Sequence, residues 1–400
     1  MNIAEQGFTD DLHGSYRRLR EQAPACPVHA GAGQEVWLIT RYDEVRSLIA
    51  DSRLSSQGED EEEDGGLGLF FTPISAGMET ADPPKHERLR GSIRTHFGAR
   101  AVASWRPVAE EVAARLAARI VPAGKAELVE AFARPMAHEV ICRFLGLSPE
   151  EVARHEGKAP TLGVAWLERL GPYLIRAARQ AKVRPAEDAR VLDVLVQRQQ
   201  EGVISEGEAL TNLVLFLSGR ILVQGLIGNG MLALLEDPDQ LRLLTTRPEL
   251  LPSAVEELLR HAAPNEQQLG RIATEDVDVG GVTIPKGAVV SLAIAAANRD
   301  PRRFLDPEHL DITRSGTPHV AFGHGRHFCL GAHLSRVIAQ VAIETLVREL
   351  PDLSLARRPQ WLPRELPAQT VLHMVRELPV TFTAAGTHGE TGPAPTTSPT

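Results

Sequence analysis

The 400-residue sequence has little cysteine and no segment that resembles a targeting signal. Its three cysteines form an odd set without paired spacing, which argues against a disulfide framework and favours a reducing compartment. Residues 1–6 lack a basic region followed by an apolar core, so we expect neither export nor a membrane anchor. The formal net charge of −9 opposes general binding of nucleic acid. These absences predict a cytoplasmic protein with no membrane or nucleic-acid partner.

The composition favours one large domain. Hydrophobic residues make up 43% of the chain, enough for a large core, and no shift in composition divides residues 1–385. The remaining segment, 386–400, is rich in Gly, Pro and Thr and is predicted to be disordered. Six adjacent acidic residues at 59–64 lie between glycines and predict a solvated, mobile loop.

Apolar periodicity predicts a mainly α-helical fold with small β-sheets at its edge. Strand-like sequence occurs at 35–39 and at 277–284, where Gly280 and Gly281 predict a hairpin turn. Apolar residues recur at helical spacing in most of the remainder. The predicted helices cover 105–121, 128–145, 165–182, 207–236, 240–262 and 330–350.

Cys329 is the most informative single residue. It ends a turn punctuated by Gly323 and Gly325 and directly precedes an apolar, helix-patterned stretch. A helix beginning near Leu330 would direct its free N–H groups at the sulfur, lower the thiol pKa and favour a metal-binding thiolate. Gly331 would let a flat ligand approach the chain closely. The pattern predicts an iron ligand, whereas Cys26 and Cys142 are interpreted as ordinary structural cysteines.

A second motif places Glu257 and Arg260 three residues apart on one face of an apolar helix. Such pairs are most often exposed, but the surrounding sequence makes a buried structural pair plausible here. With these residues the chain resembles a soluble bacterial cytochrome P450, a heme-thiolate monooxygenase, along nearly its whole length. Further matching segments are 82–90 and 297–301 leading to 311–314.

The resemblance implies the cytochrome P450 fold and a heme b cofactor, iron protoporphyrin IX. It implies that Cys329 is the axial iron ligand, and that Glu257, Arg260 and Arg314 form a buried network supporting the ligand loop. Loss of Glu257 should therefore prevent heme loading. Two guanidiniums can supply the hydrogen bonds that a buried carboxylate requires. The remaining cofactor-binding residues implied are Phe322 and Gly331 in the loop, and His86, Arg90, Arg271 and His327 at the heme propionates.

The predicted central helix departs from the family at its catalytic positions. Where the family has Ala-Gly-x-acid-Thr, this chain has Ser218, Gly219, Arg220, Ile221 and Leu222. Gly219 would preserve the local helix distortion, but neither Ile221 nor Leu222 can donate a proton for O–O bond cleavage. Either tolerated drift with substrate-assisted hydroxylation or a changed oxidation, such as coupling, cyclisation or peroxide use, would explain this. Other sources of the proton would be the substrate, ordered water, or a nearby polar group such as Ser218 or Gln224.

Arg220 has two interpretations, because an unpaired cation beside an apolar pocket is costly to desolvate. It either forms a salt bridge away from the heme or anchors a substrate carboxylate. The segment that lines the substrate pocket in the family is also polar here. Its residues Asn265, Gln267 and Gln268 would bind a polar substrate, or else face water and cap the adjacent strand. Residues 66–78 and 159–180 are expected to form the variable rim.

The leading hypothesis is a heme-thiolate oxidoreductase acting on a small, polar natural-product intermediate. Its expected electron donors are a ferredoxin and a ferredoxin reductase. One alternative is a peroxide-dependent enzyme, and another is a heme-free helper protein, which the retained Cys329 disfavours. Basic residues would dock the acidic electron carrier, unless they are merely solvated charges: Arg94, Arg100, Arg326 and Arg336.

Overall fold

The computed structural model describes residues 1–31, 34–56, 77–156, 164–181, 189–316, 318–364 and 370–384. The acidic run at 59–64 and the C-terminal segment 386–400 lie outside these residues, as do 66–76 and 159–163 of the expected rim. The described chain is mainly helical with small sheets, and the predicted fold class is confirmed.

Helices form most of the structure, and the longest is α11. The helices are α1 Gln6–Asp10, α2 Leu12–Gln22, α3 Tyr42–Ile49, α4 Lys85–Ile93, α5 Ala99–Ala103, α6 Arg106–Ile120, α7 Arg134–Leu145, α8 Pro149–Glu156, α9 Val164–Gln180, α10 Val191–Gln200, α11 Glu206–Glu236, α12 Pro238–Thr246, α13 Leu251–His261, α14 Ile294–Ala297 and α15 Ala332–Glu349. Short 3₁₀ turns occur at Arg94–Phe97, Val121–Ala123, Pro248–Leu250 and Gly325–His327, and a π-helical turn at Val129–Ala133 precedes α7.

Four small sheets flank the helices. The strands are β1 Ala25–His29, β2 Glu35–Ile39, β3 Leu54–Ser55, β4 Lys125–Glu127, β5 Asn265–Ala273, β6 Val277–Val279, β7 Val282–Ile284, β8 Val289–Leu292, β9 Ser354–Leu355, β10 Gln360–Trp361, β11 Thr370–Leu372, β12 Val375–Glu377 and β13 Pro379–Thr381. The six-stranded sheet has the order β1-β2-β8-β5-β11, with β3 also paired to β5. The others are β4-β13-β9, β10-β12 and the β6-β7 hairpin, whose glycines have φ of +59° and +84° as predicted.

The central helix α11 begins and ends where its sequence predicts. Ser205 and Glu208 form a capping box, with Ser205 Oγ accepting from Glu208 N at 3.1 Å and Glu208 Oε2 accepting from Ser205 N at 2.8 Å. The helix stops before Asp237-Pro238 because proline disfavours a helical residue before it. By length and composition α11 is the one described helix that could cross a membrane, although the core helix of a soluble protein meets the same test. Half of its most apolar stretch is buried in the protein.

One predicted helix is wrong in its extent. The stretch 240–262 forms two helices, α12 and α13, separated by the 3₁₀ turn Pro248–Leu250. Pro248 cannot donate a backbone hydrogen bond, and its ring disfavours helical angles at the residue before it. The break allows α13 to pack against both α11 and α15. It therefore places Glu256 and Glu257 beside the loop that precedes α15.

Candidate active site

The Cys329 loop is a tight turn held by its own backbone. Gly323 and Gly325 have φ of +72° and +69°, angles that favour glycine. A Cβ on Gly325 would lie 2.8 Å from Cβ of Ala50, so the loop approaches α3 too closely for any other residue. Cys329 N donates to Phe322 O at 2.8 Å. These contacts fix the cysteine at the end of the turn, immediately before α15.

The ionisation of Cys329 differs from the prediction. The side chain is accessible to solvent, yet burial raises the pKa of its thiol, and the Gly331 N–H and nearby Arg90 and Arg336 only partly offset this effect. Both observations fit a sulfur that faces a cleft enclosed by protein. The predicted low pKa was wrong because desolvation outweighs the start of α15, which begins at Ala332 with Gly331 as its cap. A metal cation bound at the sulfur would favour the thiolate.

Buried nitrogen atoms without hydrogen-bond partners converge near this loop. Among the described residues, both ring nitrogens of His86, Nη2 of Arg271 and Nε2 of His327 are buried without a hydrogen-bond partner. The rings of His86 and His327 lie 4.3 Å apart, and Arg271 Nη1 donates to Ser56 Oγ. Buried donors are normally satisfied, so this cluster fits an anionic ligand such as a heme propionate.

Electrostatics supports the same interpretation. Burial, followed by the charge of Arg271, lowers the pKa of His327 to about 3. Burial and then the charge of Arg90 lower the pKa of His86. A positive charge on each of these groups disfavours a positive charge on its neighbours. An anion bound among them would favour the charged forms instead.

Other predicted cofactor residues lie in the same region. Arg90 donates through Nη2 to Phe328 O at 2.8 Å, so part of its guanidinium supports the loop itself. A Cβ on Gly331 would have Cys329 Sγ, 3.9 Å away, as its nearest neighbour. This leaves open space where a flat ligand would approach, and the residues present fit a heme.

The Glu257 network has the predicted composition. Arg260 donates to Glu257 from Nε and Nη2, both at 2.8 Å, and Arg314 Nε donates at 3.2 Å. The backbone N–H of Asp311 donates to the same carboxylate at 3.0 Å, and the Glu257 and Arg260 side chains are 1% and 2% exposed. Arg260 also donates to the backbone oxygens of residues 298, 307 and 309. The buried charge therefore has several partners and ties α13 to segment 298–314.

Helix α11 presents an apolar face at the predicted catalytic positions. Ser218 Oγ donates to Leu215 O at 2.7 Å, while Ile221 and Leu222 are half-buried. A Cβ on Gly219 would meet nothing within 4 Å, so this face borders open space. The helix is assigned as α-helical throughout its 31 residues, Gly219 included. The face therefore has space for a substrate but no side-chain proton donor at positions 221 and 222.

Arg220 forms a buried ion pair with Glu156 at the end of α8. Its Nη2 donates to Glu156 Oε1, and its Nη1 donates to Leu217 O at 2.7 Å. Trp166 Nε1 donates to the same carboxylate at 2.8 Å, and its ring centroid lies 5.7 Å from the guanidinium carbon. The salt-bridge interpretation of Arg220 therefore agrees with the structure, and its charge is neutralised within the protein.

The polar segment after α13 divides into structural and unpaired groups. Gln267 is fully buried, donates to Tyr16 Oη at 2.5 Å and accepts from Ser291 Oγ at 2.9 Å. Glu266, which the sequence interpretation missed, is also fully buried and accepts two hydrogen bonds from Arg364, at 2.7 and 2.9 Å. Gln268 lies in β5, opposite Leu292 of β8, and is half-buried. Asn265 alone of these has a buried atom, Oδ1, without a partner among the described residues.

One acidic residue near the cleft, Glu79, was missed by the sequence interpretation. Glu79 is exposed to open space, yet burial raises the pKa of its carboxyl, and its charge interacts with Arg271 and Cys329. Its neighbour Met78 donates through its backbone N–H to Asn212 Oδ1 of α11 at 3.1 Å. Glu79 therefore lies between the central helix and the Cys329 loop. Acids are common on surfaces, so no sequence signal distinguished this one.

Asn229 clamps α11 to two chain segments. Its Nδ2 donates to Ala262 O at 3.2 Å and to His373 O at 2.7 Å, and its Oδ1 accepts from Val375 N at 3.0 Å. Glycine permits this approach, since a Cβ on Gly225 would lie 2.6 Å from Cβ of Pro264. A polar residue within an apolar helix between glycines was the sequence signal that could have revealed the clamp.

A helical fold, a cysteine loop at the start of a helix and unsatisfied donors around a cleft define a heme-thiolate type of protein. The comparisons with known proteins agree. The cytochrome P450 family model matches residues 242–365. The chain is 36% identical over 376 residues to 6-deoxyerythronolide B hydroxylase of Saccharopolyspora erythraea, covering 88% of this chain and 92% of that protein. It belongs to the cytochrome P450 family.

Two further matches are an oxygenase and a biosynthetic cytochrome P450. Nocardicin C N-oxygenase of Nocardia uniformis is 36% identical over 386 residues, covering 93% of this chain and 96% of that protein. The structure of CxnD, a cytochrome P450 for C–S bond formation in chuangxinmycin biosynthesis, matches with a TM-score of 0.82 and 30% identity, over 93% of this chain and 95% of that one. The protein is therefore a cytochrome P450 monooxygenase, and its family implies a heme iron cofactor.

Proposed function

We propose that the protein oxidises a small natural-product intermediate at a heme b held by Cys329. When bound, the heme supplies oxygen activation and the redox chemistry of its iron. Cys329 Sγ would ligate the iron, and His86, Arg271 and His327 would donate hydrogen bonds to the propionates, while Arg90 supports the ligand loop. The single observation that supports this most strongly is the set of unsatisfied nitrogens around the cleft. We further propose that residues 1–385 form one cytoplasmic domain.

Carbon monoxide binding to the reduced protein tests the cofactor assignment. A strongly red-shifted Soret band is expected for wild type, because sulfur ligation produces that spectrum. Cys329→Ala should abolish the band, whereas Cys142→Ala should preserve it, because Cys142 is buried between α-helices and burial raises its pKa to about 12. Wild-type protein that takes up no hemin would contradict the proposal.

The reaction is proposed to depart from ordinary hydroxylation. The face of α11 that borders the cleft, called the distal face, provides no side-chain acid at positions 221 and 222. The substrate itself, ordered water or a nearby acid must then hold the proton that the reaction consumes. Glu79, whose charge interacts with Arg271 and Cys329, is an acid at the same cleft, and burial raises the pKa of its carboxyl. Substrate-assisted hydroxylation, coupling and cyclisation all satisfy this requirement. The similarity to CxnD, named for C–S bond formation, favours including coupling among them.

Replacement of both distal residues tests this part of the proposal. Ile221→Glu combined with Leu222→Thr restores an acid and an alcohol, and should increase futile oxygen reduction or shift the product toward hydroxylation. Candidate intermediates can first be screened by displacement of the ferric iron's water ligand in the visible spectrum. An unchanged product distribution with unchanged oxygen consumption would oppose a reaction defined by the missing relay.

Substrate recognition is proposed to use few polar groups. Gln267 is committed to Tyr16 and Ser291, so of the three polar residues considered in the sequence Asn265 and Gln268 remain available to a substrate, and Glu79 adds an acid at the cleft. Asn265 Oδ1 would accept a hydrogen bond from a hydroxyl or amine of the substrate. A direct test is Asn265→Leu, which keeps a similar size but removes the acceptor; weaker substrate binding than wild type is expected.

Electrons are proposed to come from a ferredoxin and its reductase. Arg94 and Arg100 are exposed, and their side chains have no hydrogen-bond partner in the described part of the chain. Arg94 lies one turn after Arg90, which contacts the Cys329 loop, and α5, which carries Arg100, packs against α15. A basic surface there suits an acidic carrier. Arg336 is excluded from this surface by its pairing with Glu256.

Peroxide use is the second candidate. A peroxide-dependent enzyme that anchored a substrate carboxylate would need a free cation beside the distal face, but Arg220 is paired with Glu156. Turnover with hydrogen peroxide should therefore be slower than turnover with NADPH, reductase and ferredoxin. The reverse result would favour the peroxide-dependent enzyme. A heme-free helper is disfavoured because Cys329 and the unsatisfied donors are all present.

A further inference from the structure

Arg336 of α15 makes two contacts on the side of the cleft that carries the Cys329 loop, one with Glu256 and one with Phe322. Its Nε donates to Glu256 Oε1 at 2.6 Å and its Nη2 donates to Glu256 Oε2 at 2.8 Å, a bidentate geometry. Its guanidinium carbon lies 4.7 Å from the ring centroid of Phe322. The side chain is 25% exposed. Arg336 thus connects α13 to the ligand loop and is committed on both sides.

His319 completes the connection from the beginning of the loop. Its Nδ1 accepts from the backbone N–H of Ala321 at 3.2 Å, which leaves the hydrogen on Nε2. That nitrogen lies 3.3 Å from Glu256 Oε2, so a neutral His319 can donate to the carboxylate. The rings of His319 and Phe322 are 5.9 Å apart. Both partners of Glu256 therefore contact the same phenylalanine.

Phe322 transmits this arrangement to the cysteine. Its carbonyl oxygen accepts the Cys329 backbone N–H at 2.8 Å, so a displacement of the Phe322 backbone would strain the hydrogen bond that holds the cysteine. Glu256 and Glu257 are adjacent on α13 but hold different segments: Glu257 holds 298–314 through Arg260, and Glu256 holds 319–336. The two halves of the support meet where Val320 N donates to Asn298 Oδ1 at 2.8 Å.

We infer that Arg336, Glu256 and His319 are positioning residues that fix Phe322 and Cys329 and set the charge felt by a heme at the sulfur. The inference rests on the proposed function, because it requires Cys329 to be the iron ligand. Adding an electron to a heme-thiolate makes the site more negative. A cation close to the sulfur favours the reduced state, and the carboxylate of Glu256 offsets that cation.

The test is the reduction potential of the heme-loaded variants, measured by chemical titration without any protein partner. Arg336→Gln should shift the potential to a more negative value, because Glu256 loses its counter-charge. Glu256→Gln should shift it to a more positive value, because Arg336 is left uncompensated. Opposite signs are the expected result. Shifts of the same sign, or no shift in either variant, would overturn the inference.

A second measurement separates charge from geometry. Arg336→Lys keeps the positive charge but loses the bidentate pair and the planar stacking on Phe322. The carbon monoxide complex of this variant should convert faster than wild type to the blue-shifted form that has lost its thiolate ligand. Equal conversion rates would contradict the positioning role. Arg348→Gln is the matched control, since Arg348 lies on the same helix, is exposed and, among the described residues, pairs with its neighbour Glu349 at 2.9 Å.

These results can be distinguished from failure of the proposed function. If wild type lacks the red-shifted carbon monoxide band, the assignment of Cys329 itself is wrong. If wild type has the band but Arg336→Gln alters only the salt-dependent rate of reduction by ferredoxin, Arg336 belongs to a docking surface. Should Arg336→Gln fail to bind heme, the Glu256→Gln and Arg336→Lys variants still provide the sign and the conversion rate.

Discussion

The two sides of the cleft direct their polar side chains differently. On the loop side, polar groups either hold the chain around Cys329 or remain buried and unpaired toward the cleft, as His86 and His327 do. On the central-helix side they turn away: Arg220 pairs with Glu156, and Ser218 donates to a backbone oxygen. The loop side is thus committed to holding one anionic cofactor. The helix side provides no side-chain proton donor at positions 221 and 222, so a molecule that binds there has to bring its own.

The largest expected effect breaks the loop side. Glu257→Gln leaves Arg260 and Arg314 without their shared carboxylate in a buried site, which should cost about 3 to 5 kcal/mol and prevent heme loading. Heme content and thermal unfolding measure both consequences. Glu249→Gln is the control, because that residue is exposed and pairs with Arg247 at the surface. Normal heme content in Glu257→Gln would show that the loop holds itself.

A comparable change on the helix side should affect stability without affecting the heme ligand. Arg220→Leu leaves Glu156 buried and unpaired and is expected to cost about 3 kcal/mol. Replacing both residues by leucine should recover most of that loss, since an apolar pair of similar size needs no counter-charge. Unfolding measurements on the single and double variants give the answer. If Arg220 anchored substrate, the double variant would regain stability but not binding.

Acid should destabilise the protein through two histidines with buried ring nitrogens, His13 of α2 and His261 of α13. Burial, followed by the charge of Arg299, lowers the pKa of both His13 and His261 to about 2, and Arg299 Nη2 donates to His261 O at 2.9 Å. Because the folded-state pKa is lowered, the unfolded chain gains protons first as pH falls below about 6.5. Each histidine should then cost up to about 2 kcal/mol by pH 5.

Unfolding free energies between pH 7 and pH 5 measure this slope. His13→Gln combined with His261→Gln should flatten it, whereas His29→Gln should not, because His29 is exposed. A slope unchanged in the double variant would assign the acid sensitivity to other groups.

The smallest expected effect concerns the outer surface of the loop side. Arg100→Glu should slow reduction by ferredoxin severalfold at low salt and have little effect at high salt, where charges are screened. Arg348→Glu changes the net charge by the same amount at a residue that is paired with Glu349. It therefore provides a control for net charge. Equal reduction rates for wild type and Arg100→Glu at low salt would remove Arg100 from the docking surface.

The sequence predicted the loop side better than the helix side for a physical reason. Glu257, Arg260 and Cys329 lie in short motifs whose spacing determines their geometry, and the structure brings their partners together as expected. The partner of Arg220 is 64 residues away on α8, and no spacing rule connects them. Glu256 was missed because an acid beside Glu257 resembles an ordinary surface charge. The thiol pKa was misjudged because burial cannot be derived from a helix start.

Asn229 has a practical consequence for altering specificity. One amide group attaches the central helix to both Ala262 and Val375, so the walls that follow α13 and β11 are mechanically joined. A substitution that moves one of these two segments will also move the other, unless the hydrogen bonds of Asn229 break. Laboratory evolution toward larger substrates should accordingly accumulate substitutions around α9, which lies outside the joined unit, before it alters residues 262–265.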